Sequence, residues 1–312
     1  MTSLEIHLFG RLHVLGHGQT IPMVEGNKAC ELLCYLLLHR DRSHPREALA
    51  GTLWGDVPTT QAKTYLRKAL WQLQTTLGSS GESSPLLAVE RDWVEVHLDE
   101  DTWLDIDRFE QAYQSCHHLD HPRDCALHAE ILQHAITLYR GDLLDGWYQD
   151  WCLFERERYQ QMYLAMLDGL ALYHEGHAQY LRALEYATEI LRFDRARERT
   201  HQQLMRIYAL ANDRSAALRQ YEQCAAILEE ELGVEPAPQT RELYEQIRAG
   251  LPPGAPPPGH ESSVASSSQL RRWLDHLRRL QGSLAEMRAE IDREIAATER
   301  RLVEGATGTD LG

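Results

Sequence analysis

Metal binding is the first chemistry to weigh in this sequence, because one segment is rich in cysteine and histidine. Cys116-His117-His118 is followed by His121, Cys125 and His128. Zinc takes such ligands, but structural zinc sites space them in tight pairs, and Pro122 makes the segment resemble a linker. We therefore predict no metal site and no cofactor.

Motifs for catalysis give no support for an enzyme. The sequence contains no H-E-x-x-H, no G-x-S-x-G, no dinucleotide fingerprint and no Gly-rich phosphate loop ending in Lys-Ser/Thr. The carboxylate pairs Asp105/Asp107 and Asp142/Asp145 lie in an acidic part of the chain and need no catalytic role. We predict no catalytic residues.

Nucleic-acid binding is indicated instead by the helical pattern of residues 60–77. At about 100° per residue, one side of this helix is apolar: Leu66, Ala69, Leu70, Leu73 and Leu77. The opposite side carries Thr64, Arg67, Lys68, Trp71, Gln72 and Thr75, with Lys63 on its flank. Cations suit phosphates, and Gln and Thr suit base edges. Charged outer faces are common on solvated helices, but an exposed tryptophan is not, so this face is predicted to contact DNA.

Three further residues are predicted to contact DNA from neighbouring elements. Arg91 occupies the tip of a predicted hairpin, from which it can reach a minor groove or a phosphate. His44 and Arg46 lie at the start of a predicted helix, where backbone N–H groups favour a phosphate.

The elements that must position these residues have the order of a winged helix. Alternating residues between Leu4 and Met23 predict a small antiparallel sheet, and a helix of period 3.6 runs from Asn27 to about Arg40. A second helix, about 45–54, has Ser43 as its predicted cap, and a third follows Pro58 with Thr59 or Thr60 as cap. Residues 86–98 then form a hairpin around Glu90-Arg91-Asp92. Strands, three helices and a closing hairpin are typical of a winged helix, so residues 1–98 are assigned to this domain.

Residues 99–250 are predicted to form a helical bundle with a repeat. Every strong signal after Asp105 is helical. Ala183-Leu184 and Ala217-Leu218 are 34 residues apart, which is the period of tetratricopeptide helix pairs. The fold class predicted is therefore mainly α: a winged helix followed by a tetratricopeptide-like bundle and a C-terminal coiled-coil-like helix.

The end of the chain carries a linker and a heptad pattern. Residues 251–268 are rich in Pro and Ser and predict a linker. Within residues 269–303, apolar residues then recur at alternating intervals of three and four, the spacing of the apolar positions in a coiled-coil heptad: Leu270, Trp273, Leu277, Leu280, Leu284, Met287 and Ile291. We predict self-association as a dimer through this helix, the alternative being a helix that packs on its own chain. Residues 304–312 are predicted to be a disordered tail.

Charge is distributed unevenly along the 312 residues, whose net charge is −15. Residues 1–98 hold 9 basic and 10 acidic residues, whereas residues 99–250 hold 15 and 28. The near-neutral first part can still present a basic face, and the acidic middle discourages non-specific binding to DNA. No signal peptide or membrane span is predicted. The six cysteines do not have the spacing of a disulfide framework, which favours a cytoplasmic protein.

Two stretches of the sequence resemble a known family of regulators. Residues 4–98 look like the OmpR-type winged helix of the SARP-type transcription activators, through Leu8-Phe9-Gly10, Lys28, Arg46-Glu47-Ala48-Leu49, Leu53-Trp54-Gly55-Asp56 and Leu66-Arg67-Lys68-Ala69-Leu70. Residues from about 105 to 249 resemble the bacterial transcriptional activator domain, through Tyr139-Arg140-Gly141-Asp142, Trp151, Glu155-Arg156, Arg197-Glu198, Leu204-Met205, Ala217-Leu218-Arg219-Gln220-Tyr221 and, above all, Leu228–Pro236.

The resemblance implies an activator that binds double-stranded DNA at direct repeats upstream of promoters and contacts RNA polymerase. Family members usually carry several arginines late in the recognition helix, where this chain has Gln72, Gln74 and Thr75. Fewer cations mean weaker binding to phosphates. An alternative is therefore a protein-interaction or effector-sensing scaffold whose winged helix no longer binds DNA specifically. An unidentified effector in the groove of the bundle is compatible with either function.

Overall fold

The computed structural model describes residues 4–23, 27–78, 86–99, 101–117 and 126–252, which lie in one compact unit. The side chains of residues 116 and 117 are also outside the description. The predicted linker beyond residue 252, the heptad helix and the tail lie outside the described residues, as does most of the Cys/His segment. The fold is mainly helical with small sheets, so the predicted fold class is confirmed.

The N-terminal sheet has four strands in the order β3-β2-β1-β7: β1 (Leu4–His7), β2 (His13–Gly16), β3 (Gln19–Thr20) and β7 (Thr102–Leu104). The first three strands form the predicted antiparallel meander, with Ile6 opposite Val14. Strand β7 was not predicted. It pairs in parallel with β1 across nearly 100 residues of chain, with Leu4 opposite Thr102.

Three helices follow the meander: α1 (Lys28–Leu38), α2 (Arg46–Leu53) and α3 (Thr59–Leu77). Asn27 caps α1 by accepting a hydrogen bond from the amide of Ala29, at 3.1 Å. The caps predicted for the other two helices were wrong. The N-cap positions are Pro45 and Pro58, and neither has a side-chain acceptor.

Ser43 fails as a cap because the next two residues form a strand. His44–Pro45 is β4, which pairs with β6 (Trp93–Val96), and β6 pairs with β5 (Leu87–Val89) to close the predicted hairpin. The hairpin is therefore tied to the start of α2. We call residues 87–96 the wing.

Seven helices make up the rest of the described chain: α4 (Asp105–His117), α5 (Ala126–Leu138), α6 (Asp150–Gly176), α7 (Tyr180–Phe193), α8 (Glu198–Leu210), α9 (Arg214–Leu232) and α10 (Pro238–Arg248). Helix α6 packs on α7, α8 packs on α9, and α10 covers that second pair. Ala183 and Ala217, the predicted repeat positions, are both fully buried between helices. Among the described helices, none combines the length and apolar character needed to cross a membrane.

The winged helix and the bundle share one core, although the sequence places a boundary at residue 98. Phe9, which follows β1, packs against Phe109, Tyr139 and Tyr159 of the bundle with ring centroids 4.9–5.6 Å apart. Asp105 at the start of α4 accepts hydrogen bonds from the amides of Leu8 (2.7 Å) and Phe9 (2.9 Å). These contacts fix the orientation of the winged helix on the bundle.

Candidate DNA interface

Helix α3 presents its predicted outer face to solvent because its inner face fills the core. Leu66, Ala69, Leu70 and Leu73 are buried, and Ala62 extends this stripe by one turn. Leu77, placed on the same side from the sequence, is partly buried. Packing against α1 and α2 therefore fixes which side of the helix faces outward.

The outer face holds the residues that the sequence singled out. Thr64, Arg67, Lys68, Trp71 and Thr75 are exposed, and Gln72 is half-buried. Trp71 is 67% exposed and is not among the residues that line the cleft under the wing. Within the part of the chain that the structure describes, no acidic side chain forms an ion pair with Arg67 or Lys68. Both cations are therefore available to an external anion.

The wing and the start of α2 enclose a cleft beside this face. The cleft has a volume of about 590 Å³ and is lined by Arg46, Lys63, Arg67 and Arg91, together with Glu47, Asp92, Leu66, Pro45 and Trp93. Four cations and two carboxylates therefore converge on one concave surface. Arg91 lies at the exposed turn of the wing, as predicted.

Arg46 holds the wing in place rather than standing free. Its backbone amide donates to the carbonyl of Asp92 (2.9 Å), and its guanidinium donates to the carbonyl of Glu90 (3.1 Å). The remaining N–H groups of this guanidinium still line the cleft. Arg46 thus positions Arg91 in addition to contributing its own charge.

Lys63 donates a hydrogen bond to Glu47, which is fully exposed at the start of α2. The hydrogen bond and charge of Lys63 lower the pKa of Glu47, so this carboxylate is ionised at neutral pH. Glu47 therefore offsets one of the four cations of the cleft. This role of Glu47 was not predicted from the sequence, because Glu47 and Lys63 lie 16 positions apart on different helices.

His44 is removed from the predicted set of DNA contacts. Its side chain is only 4% exposed, and its Nε2 lies 2.9 Å from the carbonyl oxygen of His39. The strand pairing of β4 turns this ring into the protein, where it packs near Tyr35. The residue is structural.

Trp93 was missed and adds a second exposed indole to the surface. It is 44% exposed and lines the cleft next to Arg91. Val94 and Val96 are buried, so the alternation of β6 places Trp93 outward. That alternation is visible in the sequence and was the available signal.

Comparisons with known proteins agree on one class of protein. Residues 104–248 match the model of the bacterial transcriptional activator domain. The transcriptional regulatory protein MoaR1 of Mycobacterium tuberculosis is 26% identical over 259 residues, covering 80% of this chain and 81% of that protein. The regulatory protein AfsR of Streptomyces coelicolor is 28% identical over 247 residues, covering 78% of this chain and 24% of that protein.

The fold also has a solved counterpart. The structure of Mycobacterium tuberculosis EmbR in complex with a low-affinity phosphopeptide aligns with a TM-score of 0.69 and 22% identity, covering 88% of this chain and 72% of that one. The similarity shows a shared fold. The resemblance to SARP-type regulators inferred from the sequence is confirmed.

Proposed function

We propose that this chain, whose residues 104–248 match the bacterial transcriptional activator domain, is a sequence-specific DNA-binding regulator. The observation that carries the proposal is the outer face of α3. Its cations Arg67 and Lys68 have no acidic partner among the described residues, and Arg67 also lines the cleft under the wing. A helix of this diameter fits the major groove, which is about 12 Å wide.

The proposed division of labour follows from the chemistry of each side chain. Arg67, Lys68 and Lys63 bind phosphates, because their long cationic side chains lie at the edges of the face. Arg91 binds a phosphate from the exposed turn of the wing. The central residues of the face contact bases or sugar edges: Thr64, Trp71, Gln72 and Thr75. Arg46 supports the wing through its hydrogen bond to the carbonyl of Glu90. From the cleft it also contacts the phosphate backbone of the DNA.

Activation is the proposed outcome of binding. The SARP-type resemblance supports binding at direct repeats upstream of promoters, followed by contact with RNA polymerase. Regulatory relatives that align with about four-fifths of this chain support a role in transcription rather than in catalysis. We place the protein in the cytoplasm, where promoters and polymerase are found.

The test is a titration of the full-length chain against DNA from its own upstream region, at several salt concentrations and with scrambled competitor DNA. Specific binding that strengthens as salt falls is the expected result. Arg67→Ala should weaken binding to every sequence and flatten the slope of log K against log salt by about one. Arg219→Ala is the matched control, because Arg219 is an exposed cation of α9 in the bundle.

Dimerisation through residues 269–303 is a separate part of the proposal and rests on their heptad spacing. The full chain should have the mass of a dimer in solution. A chain that ends after Gly250 should have the mass of a monomer. Weak coiled coils assemble at concentrations on the order of tens of micromolar. A full chain that is monomeric at such a concentration would contradict dimerisation through this segment.

A second candidate is a scaffold for proteins or effectors, with a winged helix that does not select a DNA sequence. The carboxylates of Glu47 and Asp92 in the cleft favour it, because they reduce the positive charge offered to DNA. A groove of about 550 Å³ between α4 and α5, with Trp103 and Ile131 in its lining, offers space for an effector. A folded sample that binds neither probe at low salt would favour this candidate.

A further inference from the structure

The centre of the outer face of α3 is methyl and aromatic rather than charged. On a helix of about 100° per residue, Thr64, Trp71 and Thr75 fall within roughly 40° of one another. We call these three residues the central row. All three are exposed, and the largest of them, Trp71, is 67% exposed.

The hydroxyl hydrogens of the central row are already used within the helix. Thr64 Oγ1 donates to the carbonyl of Thr60 at 3.0 Å, and Thr75 Oγ1 donates to the carbonyl of Trp71 at 2.8 Å. A hydroxyl has one hydrogen to donate, so each threonine offers a ligand only a methyl group and the acceptor capacity of its oxygen. Both threonines are therefore poor partners for the acceptors N7 and O6 of guanine.

Cations flank the central row on both sides. Measured around the helix from Thr64, Lys68 lies roughly 40° to one side and Arg67 roughly 60° to the other. The walls of a major groove are the two phosphate backbones, and its floor is formed by base edges. A helix seated with Arg67 and Lys68 toward opposite walls places the central row over the floor.

We propose that the central row recognises the 5-methyl groups of thymine, so that the preferred site is rich in A·T pairs where Trp71 and Thr75 meet the floor. The proposal rests on the DNA-binding function proposed above. Thymine alone among the four bases presents a methyl group in the major groove, and apolar side chains recognise it by contact. The acceptor oxygens of the threonines suit the amino group of adenine in the same pairs.

The experiment separates the methyl groups from every other property of the DNA. Full-length protein selects duplexes from a random-sequence pool, and the selected site is then synthesised with deoxyuridine in place of thymidine. This change removes only the methyl groups and keeps the pairing and the charge. We expect a loss of roughly fourfold in affinity for each contacted methyl, the value of one buried carbon. Replacement by 5-bromodeoxyuridine, whose bromine fills similar space, should restore binding.

Variants assign the effect to the central row. Trp71→Ala and Thr75→Ser should bind the thymine duplex more weakly than the wild type does. Substitution of uracil for thymine should then reduce their affinity less than it reduces that of the wild type, or not at all. Thr75→Ser keeps the hydroxyl group while it removes the methyl. Arg67→Ala should weaken binding to both duplexes equally and leave their ratio unchanged. Since Trp71 and Thr75 are exposed, these changes leave the core intact, which circular dichroism checks.

The possible failures are distinguishable. Wild-type protein that binds a selected site equally well with thymine or uracil overturns the proposal and leaves the DNA-binding function standing. A thymine-to-uracil ratio that persists in both Trp71→Ala and Thr75→Ser also overturns it. A pool from which no sequence is enriched overturns the DNA-binding function, and the proposal falls with it.

Discussion

Glu47 offsets one of the cations in the cleft by pairing with Lys63. Glu47→Gln should free the ammonium of Lys63 for a phosphate and remove a carboxylate that repels the backbone. We expect tighter binding to non-specific DNA and a slope of log K against log salt that steepens by about one. The measurement is a salt titration with scrambled duplex.

A double-variant comparison shows whether Glu47 acts through Lys63. In a Lys63→Met background, Glu47→Gln should no longer change the slope. Glu242→Gln, an exposed carboxylate of α10, is the control for loss of one negative charge elsewhere. A steeper slope in the Lys63→Met background would show that Glu47 acts independently of Lys63.

Single residues of α3 were predictable because a helix wheel needs only local spacing. The buried stripe from Leu66 to Leu73 and the exposure of Arg67 and Trp71 follow from a period of 3.6. His44 was not predictable in this way, because its burial depends on pairing with Val94, fifty residues later.

At the scale of elements, the turns of the bundle repeat their backbone conformation along with their sequence period. Ala178 and Asn212, which are 34 residues apart, follow α6 and α8 with φ of 57° and 62°. Asparagine tolerates this left-handed conformation, whereas alanine is strained by about 1–2 kcal/mol. Ala178→Gly should therefore stabilise the fold by about 0.5–1 kcal/mol, after the extra chain entropy of glycine is subtracted. Urea unfolding measures the difference.

Ala211→Gly provides the matched control for this turn. Ala211 is the C-cap of α8 and has an ordinary φ of −76°, so glycine relieves no strain there. The same substitution should destabilise the protein through chain entropy, by roughly 0.4–1 kcal/mol. If both variants lose stability, the conformation at Ala178 is not strained.

The longer elements were predictable from periodicity, whereas the short strands were not. Helices α1 and α3 and the wing carry clear patterns over eight or more residues. Strand β7 spans three residues, Thr102–Leu104, and is stabilised by pairing with β1. A strand this short has too few residues for a recognisable pattern, and its partner lies too far along the chain to be predicted locally. The cap at Pro45 was missed for a related reason, since Ser43 precedes the short strand β4.

On the scale of the whole molecule, a network of charges joins the winged helix to the bundle. Glu110 of α4 accepts hydrogen bonds from Arg40 after α1 and from Arg158 (2.8 Å) and Tyr159 (2.8 Å) of α6. Burial alone would raise the pKa of Glu110, but the charge of Arg40 and these hydrogen bonds hold it below its ordinary value. The network therefore stabilises the fold when Glu110 is ionised.

Glu110→Gln should destabilise the protein by about 1–3 kcal/mol at neutral pH, because the largely buried Arg40 then keeps only its second carboxylate partner, Asp107 (2.9 Å). The contribution of Glu110 should decline in acid, as the pH falls through the lowered pKa and the carboxylate takes up a proton. Unfolding in urea at pH 7 and at pH 4 measures both effects. Glu130→Gln, at an exposed carboxylate of α5, should change stability little at either pH. An equal loss in both variants would contradict a role for the network.

Asp105, in the same interface, should give the opposite dependence on pH. Burial raises its pKa from 3.8 to about 6, against the hydrogen bonds from Phe9, Leu8 and Ile106 that lower it. The folded state therefore holds this proton to a higher pH than the unfolded state does. Its stabilising contribution is complete below about pH 4 and is lost as the pH rises to about 6, a change of up to about 3 kcal/mol. Asp105→Asn cannot titrate, so it serves as the reference. Between pH 4 and pH 7, the free energy of unfolding of the wild type should fall relative to that of the variant by up to about 3 kcal/mol. A difference that stays constant over this range would show that Asp105 ionises equally easily in both states, and that its contact with Leu8 and Phe9 does not favour the protonated form.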